Sequence, residues 1–118
     1  MGKVKLDFSL SGEIKKDDPR QEVWKKQREE RGFDDTELWN LDATIAEFIL
    51  PRLKRFRDIV VGYPGNLNSQ DEWYAILDKM IKALEITTSN MKLLSNKDHD
   101  SQEEGLKLFA EYFNHLWW

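Results

Sequence analysis

Residues 69–84 read Ser-Gln-Asp-Glu-Trp-Tyr-Ala-Ile-Leu-Asp-Lys-Met-Ile-Lys-Ala-Leu, and this stretch decides the fold class. Ser69 and Glu72 have the spacing of a helix capping box, which predicts that a helix begins here. The large apolar residues that follow recur every three or four positions and therefore share one helical face. They are Trp73, Ile76, Leu77, Met80, Ile81, Leu84 and Met91. We predict a helix that runs to about Leu94, with Leu77 at the centre of its buried face.

The preceding sequence begins with a thinner helix. Asp18 and Pro19 form a helix start, because Asp caps free backbone N–H groups and Pro fits the first helical position. Gly32 is a typical stop signal at the other end. Between them the large apolar residues are Val23 and Trp24. The pattern predicts a solvated helix that is docked by a single tryptophan.

A longer helix is predicted between these two. Asp34 and Glu37 again have capping-box spacing, and the helical pattern continues to about Val60. Pro51 lies within it, removes one backbone hydrogen bond and is expected to bend the helix.

The last predicted helix begins at Ser101 and Glu104, after a polar loop at 96–100. It is apolar on two sides, and we predict that the side with Leu106, Phe109, Phe113 and Trp117 faces the core. The other side is a candidate interface with a partner or a second copy, formed by Leu108, Tyr112, His115 and Trp118. The alternative is that this side is covered by the N-terminal arm.

That arm shows the alternation of a half-buried strand, with apolar side chains at Val4, Leu6, Phe8 and Leu10. A single strand leaves its backbone groups unpaired, so it either lies across helices or pairs with another chain. We predict an all-α protein, a small helical bundle of three main helices plus the thin helix. An extended or β-strand arm at 1–18 would precede a bundle domain at 19–118. The arm and the two-sided last helix together favour a homodimer.

Composition excludes several classes of protein. The 118 residues contain no cysteine, which rules out disulfide scaffolds, Cys-containing zinc sites and thiol nucleophiles. The net charge of −4 argues against non-specific nucleic-acid binding. No apolar run is long enough for a membrane span, and no signal-peptide pattern is present, so a cytoplasmic location is expected.

The long second helix carries the least expected charges. On a helical projection Asp42 and Arg52 fall inside its apolar arc, where a charge needs a partner. Either each is paired within the bundle, or both line a polar pocket for a ligand, or the helix is less buried than the pattern suggests. Arg52 also belongs to the densest basic cluster, with Lys54, Arg55 and Arg57. This cluster either complements the helix dipole or binds an anionic ligand such as a nucleotide.

The two histidines do not predict a metal centre. His99 lies between Asp98 and Asp100, and three adjacent side chains rarely point at one ion. Glu111 and His115 stand four residues apart, but the further ligands of a di-iron helical bundle are missing. We therefore assign no catalytic residue, metal or cofactor from the sequence.

The part of the chain from 31 to 118 resembles a family of small uncharacterised proteins encoded mainly by tailed bacteriophages and prophages. The resemblance is carried by several short motifs in combination. These are Arg31-Gly32-Phe33-Asp34-Asp35, Leu38-Trp39-Asn40-Leu41-Asp42, Phe48-Ile49-Leu50-Pro51-Arg52-Leu53, Gly62-Tyr63-Pro64, Glu72-Trp73 with Ile76-Leu77, and Gly105-Leu106 to Leu116-Trp117-Trp118. The resemblance implies a phage origin and a location in the bacterial host's cytoplasm, and it carries no chemistry.

Our leading hypothesis is a non-catalytic phage accessory protein that acts by stoichiometric contact with a host protein. An alternative is sequestration of a nucleotide or another anionic small ligand in a polar pocket. A small metal-dependent hydrolase using Asp42, Glu47, His99 or His115 is a further alternative, as is a virion or assembly component.

Overall fold

The computed structural model describes residues 18–89 and 94–118, and it is all-α as predicted. Its helices are α1 (Gln21–Arg31), α2 (Leu41–Ile59), α3 (Gln70–Thr88) and α4 (Asn96–Glu111). Short 3-10 helices occupy Asp35–Leu38 and Phe113–His115. No strand occurs within the described residues, and the predicted arm falls almost entirely outside them.

The chain divides into two compact units, Met1–Ile45 and Ala46–Trp118. They are called the N-terminal and C-terminal units below. The prediction of one bundle domain at 19–118 remains a prediction.

The first helix of the N-terminal unit matches its sequence signals closely. It ends at Gly32, whose φ of 85° lies in the left-handed region that favours glycine. Trp24 is the buried residue of α1, as expected for a thin docked helix. The helix starts two residues after Pro19, because the Asp18 side chain accepts the backbone N–H of Arg20 and holds a turn before it.

The predicted helix from Asp34 to Val60 is interrupted near its start. Asp34 and Glu37 do form a capping box, but the box closes a 3-10 turn rather than the first turn of α2. α2 then begins at Leu41, and the Thr44 hydroxyl donates to the Glu37 carbonyl across the break. Pro51 lies inside α2, as expected; the bend there stays a prediction.

α3 provides most of the core of the C-terminal unit. Its Trp73, Leu77 and Met80 side chains are almost completely buried. The core is extended by residues from the other elements of the unit, namely Ala46, Leu53, Val60, Leu67 and Tyr112. The predicted face from Trp73 to Leu84 and the central place of Leu77 are confirmed. Met91, which was assigned to the same face, lies outside the described residues. The helix ends at Thr88, however, so its predicted extension to about Leu94 is wrong.

The predicted loop at 96–100 is instead the first part of α4. Ser95 is the N-cap and forms a capping box with Asp98, with the Ser95 Oγ accepting the Asp98 N–H at 3.1 Å. The sequence prediction failed because this part of α4 is largely polar and has no apolar stripe to mark it. Ser95 and Asp98 have the same three-residue spacing as Ser101 and Glu104, where the sequence predicted the start of this helix.

Polar pairs join α3 to its two neighbours at the surface. Lys54 and Arg57 of α2 pair with Glu85 and Asp78 of α3, which requires the two helices to run antiparallel. On the other side, Lys79 of α3 pairs with Glu104 of α4, and Gln102 donates to the Thr87 hydroxyl at 2.8 Å. Because exposed ion pairs contribute little to stability, these pairs show how the helices are aligned but add little to the free energy of folding.

The closest approach between α3 and α4 is at Gly105. A β-carbon at this position would collide with the backbone carbonyl of Lys79 and with the side chain of Ala83. Gly105 is buried and lies inside a helix, where glycine is otherwise unfavourable by about 1 kcal/mol relative to alanine. The absence of a side chain therefore permits the packing of α4 on α3.

We predict that Gly105→Ala lowers the free energy of unfolding by about 1–3 kcal/mol. The added methyl group overpacks the contact between α3 and α4, and the cost of this overpacking exceeds the gain of about 1 kcal/mol from alanine's higher helix propensity. The measurement is the urea midpoint. Gly65→Ala is the control, since a β-carbon there meets nothing within 4 Å. A midpoint for Gly105→Ala equal to that of the wild type would contradict the close approach.

Candidate functional site

The segment at the end of α4 alternates between buried and exposed side chains. Tyr112 lies in the core, where its hydroxyl accepts a hydrogen bond from the Asn66 side-chain amide at 3.0 Å. Its ring centroid is 5.5 Å from that of Trp73. Leu116, four residues further on, packs against the same core. These two residues attach the segment to the C-terminal unit.

The side chains between and beyond these two anchors face solvent. Phe113 is 57% exposed, and Trp117 and Trp118 are 74% and 75% exposed. The Phe113 ring contacts the ring of Phe109, and the two centroids are 5.6 Å apart. Phe109 in turn packs against the core. Leu106, one turn before Phe109 on the same helix, is 43% exposed. We call Leu106, Phe113, Trp117 and Trp118 together the aromatic surface.

The exposed area of the aromatic surface is comparable to that of the largest apolar patches on soluble proteins. Because an aromatic side chain presents roughly 150–250 Å², its three rings leave on the order of 400 Å² of mostly apolar area exposed. This falls in the range of the largest apolar patches on soluble monomers, which are often functional. It is about half of one side of a standard protein–protein interface.

The two sides that the sequence predicted for α4 are only partly correct: Phe109 packs against the core as predicted, but Leu106, Phe113 and Trp117 are exposed. Tyr112 is buried and Leu108 packs against the core, so neither forms an exposed interface. His115 and Trp118 are exposed, as an interface requires. Both sides of α4 are apolar, so the pattern alone did not select one; Gly105 selects it, because the side of the helix beside Gly105 must face α3.

The prediction that Asp42 and Arg52 are buried is wrong. Both side chains are exposed, because the neighbouring apolar residues of the arc are exposed as well. Those residues are Leu38, Leu41, Ile45 and Phe48. Arg52 stacks on the Phe48 ring, with its Cζ 3.9 Å from the centroid, and donates to the Phe48 carbonyl at 2.7 Å.

Half of the predicted basic cluster is engaged in ion pairs. Arg57 donates twice to Asp78, at 2.9 and 3.2 Å, and this hydrogen bonding raises the pKa of Arg57. Lys54 lies 3.4 Å from Glu85. Within the described residues Arg55 has no acidic partner, so Arg52 and Arg55 are the members left for an anion. The structure uses the other two to align α2 with α3.

Among the described residues, the carboxylates that are buried are Asp34 and Glu37 rather than Asp42. Asp34 accepts hydrogen bonds from the backbone and hydroxyl of Thr36 and forms an ion pair with Arg28. Glu37, also buried, accepts the Asp34 N–H at 2.8 Å. Burial opposes the charge on Asp34, but the hydrogen bonds from Thr36 and Arg28 outweigh it and lower the pKa of Asp34.

Two tryptophans of the N-terminal unit form a corner around an arginine. The Trp24 and Trp39 rings meet edge to face at 84°, with centroids 5.8 Å apart. The Arg20 guanidinium lies over both rings, and its other side is bound by the carboxylate of Asp18. We call Trp24, Trp39 and Asp18 the tryptophan corner. Sequence analysis missed it because Trp24 and Trp39 belong to different helical segments.

The remaining sequence candidates stay apart. His99 lies on α4 and His115 lies in the 3-10 helix beyond it, where its ring is 5.8 Å from that of Tyr112. Among the residues that the structure describes, no three His, Asp or Glu side chains come together as a metal site would require. In that same part of the chain, no helix is both long and apolar enough to cross a membrane.

Comparison with protein-family models, with curated proteins and with solved structures found no match to this chain. The phage family suggested by the sequence motifs therefore remains a prediction.

We predict that Asp34→Asn lowers the free energy of unfolding at neutral pH by about 1–3 kcal/mol, because it weakens a buried hydrogen-bonded pair. The pKa of Asp34 is lower in the folded protein than in the unfolded chain. Its stabilising effect is therefore complete above the unfolded value near 4 and is lost as the pH falls through the folded value.

Urea unfolding between pH 3 and pH 7, followed by tryptophan fluorescence, measures this difference. The gap between wild type and Asp34→Asn should narrow towards pH 3, whereas Asp42→Asn, at an exposed position, should follow the wild type throughout. A gap that is independent of pH would contradict the role of the Asp34 charge.

Proposed function

We propose that this protein is a non-catalytic binding protein that acts by stoichiometric contact with another protein through the aromatic surface. The observation that carries the proposal is the exposure of Phe113, Trp117 and Trp118 beside the anchors Tyr112 and Leu116. Aromatic residues, tryptophan above all, are enriched among the residues that contribute most to binding energy at protein interfaces.

The anchoring of this surface supports a role in binding. Tyr112 is fixed by the Asn66 hydrogen bond and by Trp73, and Phe113 rests on Phe109. A side chain that is already held in place loses little conformational freedom when a partner covers it, which favours affinity. Phe113 is therefore held in place before a partner binds, and Trp117 and Trp118 follow the anchored Leu116 directly in the chain.

The partner that we propose for the aromatic surface is a bacterial host protein. The phage-family resemblance of residues 31–118 supports this choice, since small phage proteins commonly act by blocking a host protein. The alternative of nucleotide sequestration is less well supported, because Lys54 and Arg57 are paired with Glu85 and Asp78. Only Arg52 and Arg55 of the predicted cluster would be left to hold phosphate groups.

Affinity capture from bacterial lysate with matched variants tests the proposal. The wild type should retain a host protein at a one-to-one ratio, and the double variant Trp117→Ser/Trp118→Ser should lose it. The control is Val61→Ser/Tyr63→Ser, which removes exposed apolar groups elsewhere in the same unit. Equal capture by all three proteins, release of a small anion instead of a protein, or no capture by the wild type would overturn the proposal.

We also predict self-association when the partner is absent. A symmetric contact would cover the aromatic surface on two copies at once, and this is the commonest form of homo-oligomer. Light scattering coupled to size exclusion should show a dimeric mass at micromolar concentration, reduced to the monomer by Trp117→Ser/Trp118→Ser. Tyr112 is unsuitable for this test because it is buried. A monomeric wild type would reject the dimer.

A further inference from the structure

We propose that the tryptophan corner is a binding site for a guanidinium group, such as an arginine side chain presented by another molecule, and that Arg20 occupies this site in the free protein. The corner lies in the N-terminal unit and the aromatic surface in the C-terminal unit. Either proposal can therefore fail without the other.

The geometry around Arg20 is that of a ligand in a site. Its Cζ lies 4.9 Å from the Trp24 centroid and 5.9 Å from the Trp39 centroid, both within the range of a cation–π interaction. Its Nε and Nη2 donate to the two carboxylate oxygens of Asp18, at 3.1 and 2.8 Å. Two aromatic walls and a bidentate carboxylate match the flat shape and the charge of a guanidinium group.

Two of the three groups around Arg20 are sheltered from solvent, whereas Arg20 itself is exposed. The Asp18 side chain is 18% exposed and Trp24 is 5% exposed, whereas the Arg20 side chain is 60% exposed. Trp39, at 55% exposure, leaves one side of the corner open to solvent. The arginine can therefore swing out into water without moving the groups that bind it, which is what an exchangeable occupant requires.

Helix capping does not account for an arginine at this position. Arg20 is the N-cap residue of α1 and makes no side-chain capping hydrogen bond. A cation beside the first turn of a helix is also opposed by the helix dipole. The favourable contacts of Arg20 are thus those with the tryptophan corner, and a second guanidinium could make the same contacts in its place.

The carboxylate is charged under the conditions of the test. The side-chain hydrogen bond from Arg20 lowers the pKa of Asp18, and without Arg20 an aspartate is still ionised at neutral pH because its ordinary pKa is about 4. Removing the arginine leaves a negative group and two ring faces without their cation. The variant Arg20→Ala should therefore gain affinity for an added guanidinium compound.

The experiment uses the full chain labelled with ¹⁵N and follows the indole N–H signals of Trp24 and Trp39 by nuclear magnetic resonance. The probe is N-acetyl-arginine amide, and its neutral analogue N-acetyl-citrulline amide has nearly the same shape without the charge. Arg20→Ala should show saturable shifts at concentrations at least about tenfold lower than the wild type. The citrulline compound should produce no such shifts.

Arg31→Ala is the matched control variant. Arg31 belongs to the same unit, pairs with Asp35 and stacks on a single ring, that of Phe33. Its removal should leave the Trp24 and Trp39 titrations like those of the wild type. If Arg20→Ala disturbs the fold of the unit, Arg20→Gln replaces it under the same criteria. Three results would overturn the proposal. The Arg20 variant could show no saturable shift with N-acetyl-arginine amide, it could give the same titration curve as the wild type, or it could respond equally to N-acetyl-citrulline amide.

Discussion

The close approach of α4 to α3 at Gly105 governs the arrangement of the C-terminal unit. Because no side chain separates the two helices there, the backbone of α4 lies against Lys79 and Ala83. This contact turns Leu108 and Tyr112 towards the core and brings the Tyr112 ring to Trp73. The same rotation of α4 leaves Leu106 and Phe113 in water. One missing β-carbon thus determines both what the core contains and what the surface offers to a partner.

The N-terminal unit is organised by polar rather than apolar contacts. Asp34 is as deeply buried as the core residues of α3, and its charge is satisfied by Thr36 and Arg28. Asp35 extends this network, since it bonds to Gln27 and Arg31. A buried ion pair of this kind is weak evidence for high stability, but it requires a defined geometry. It explains how a helix with one buried tryptophan is joined to the turn that follows it.

Charged side chains in this protein serve mainly to position helices. Arg57 and Lys54 looked like a ligand site in the sequence, yet both bridge to α3. Arg52 and Arg31 each stack on a ring close to them in sequence, and Arg20 stacks on two. Among the described residues, Phe113, Trp117 and Trp118 are some of the most exposed large apolar side chains, together with Val23 and Val61. The proposal of a protein partner rests on this exposure and on the pairing of Lys54 and Arg57 with α3.

The sequence by itself determined the all-α class, the burial of Leu77 and Trp24, and the stop at Gly32. These follow from local rules, because periodicity, capping and left-handed glycine act within a few residues of the chain. Only the tertiary structure decided which side of α4 faces the core and whether Asp42 or Asp34 is buried. It also decided that Trp24 and Trp39 share one arginine. Each of these depends on contacts between separate elements of the structure. The two faces of α4 are similarly apolar, and the close approach at Gly105 determines which one faces the core. The ion pair with Arg28 allows Asp34 to be a buried carboxylate.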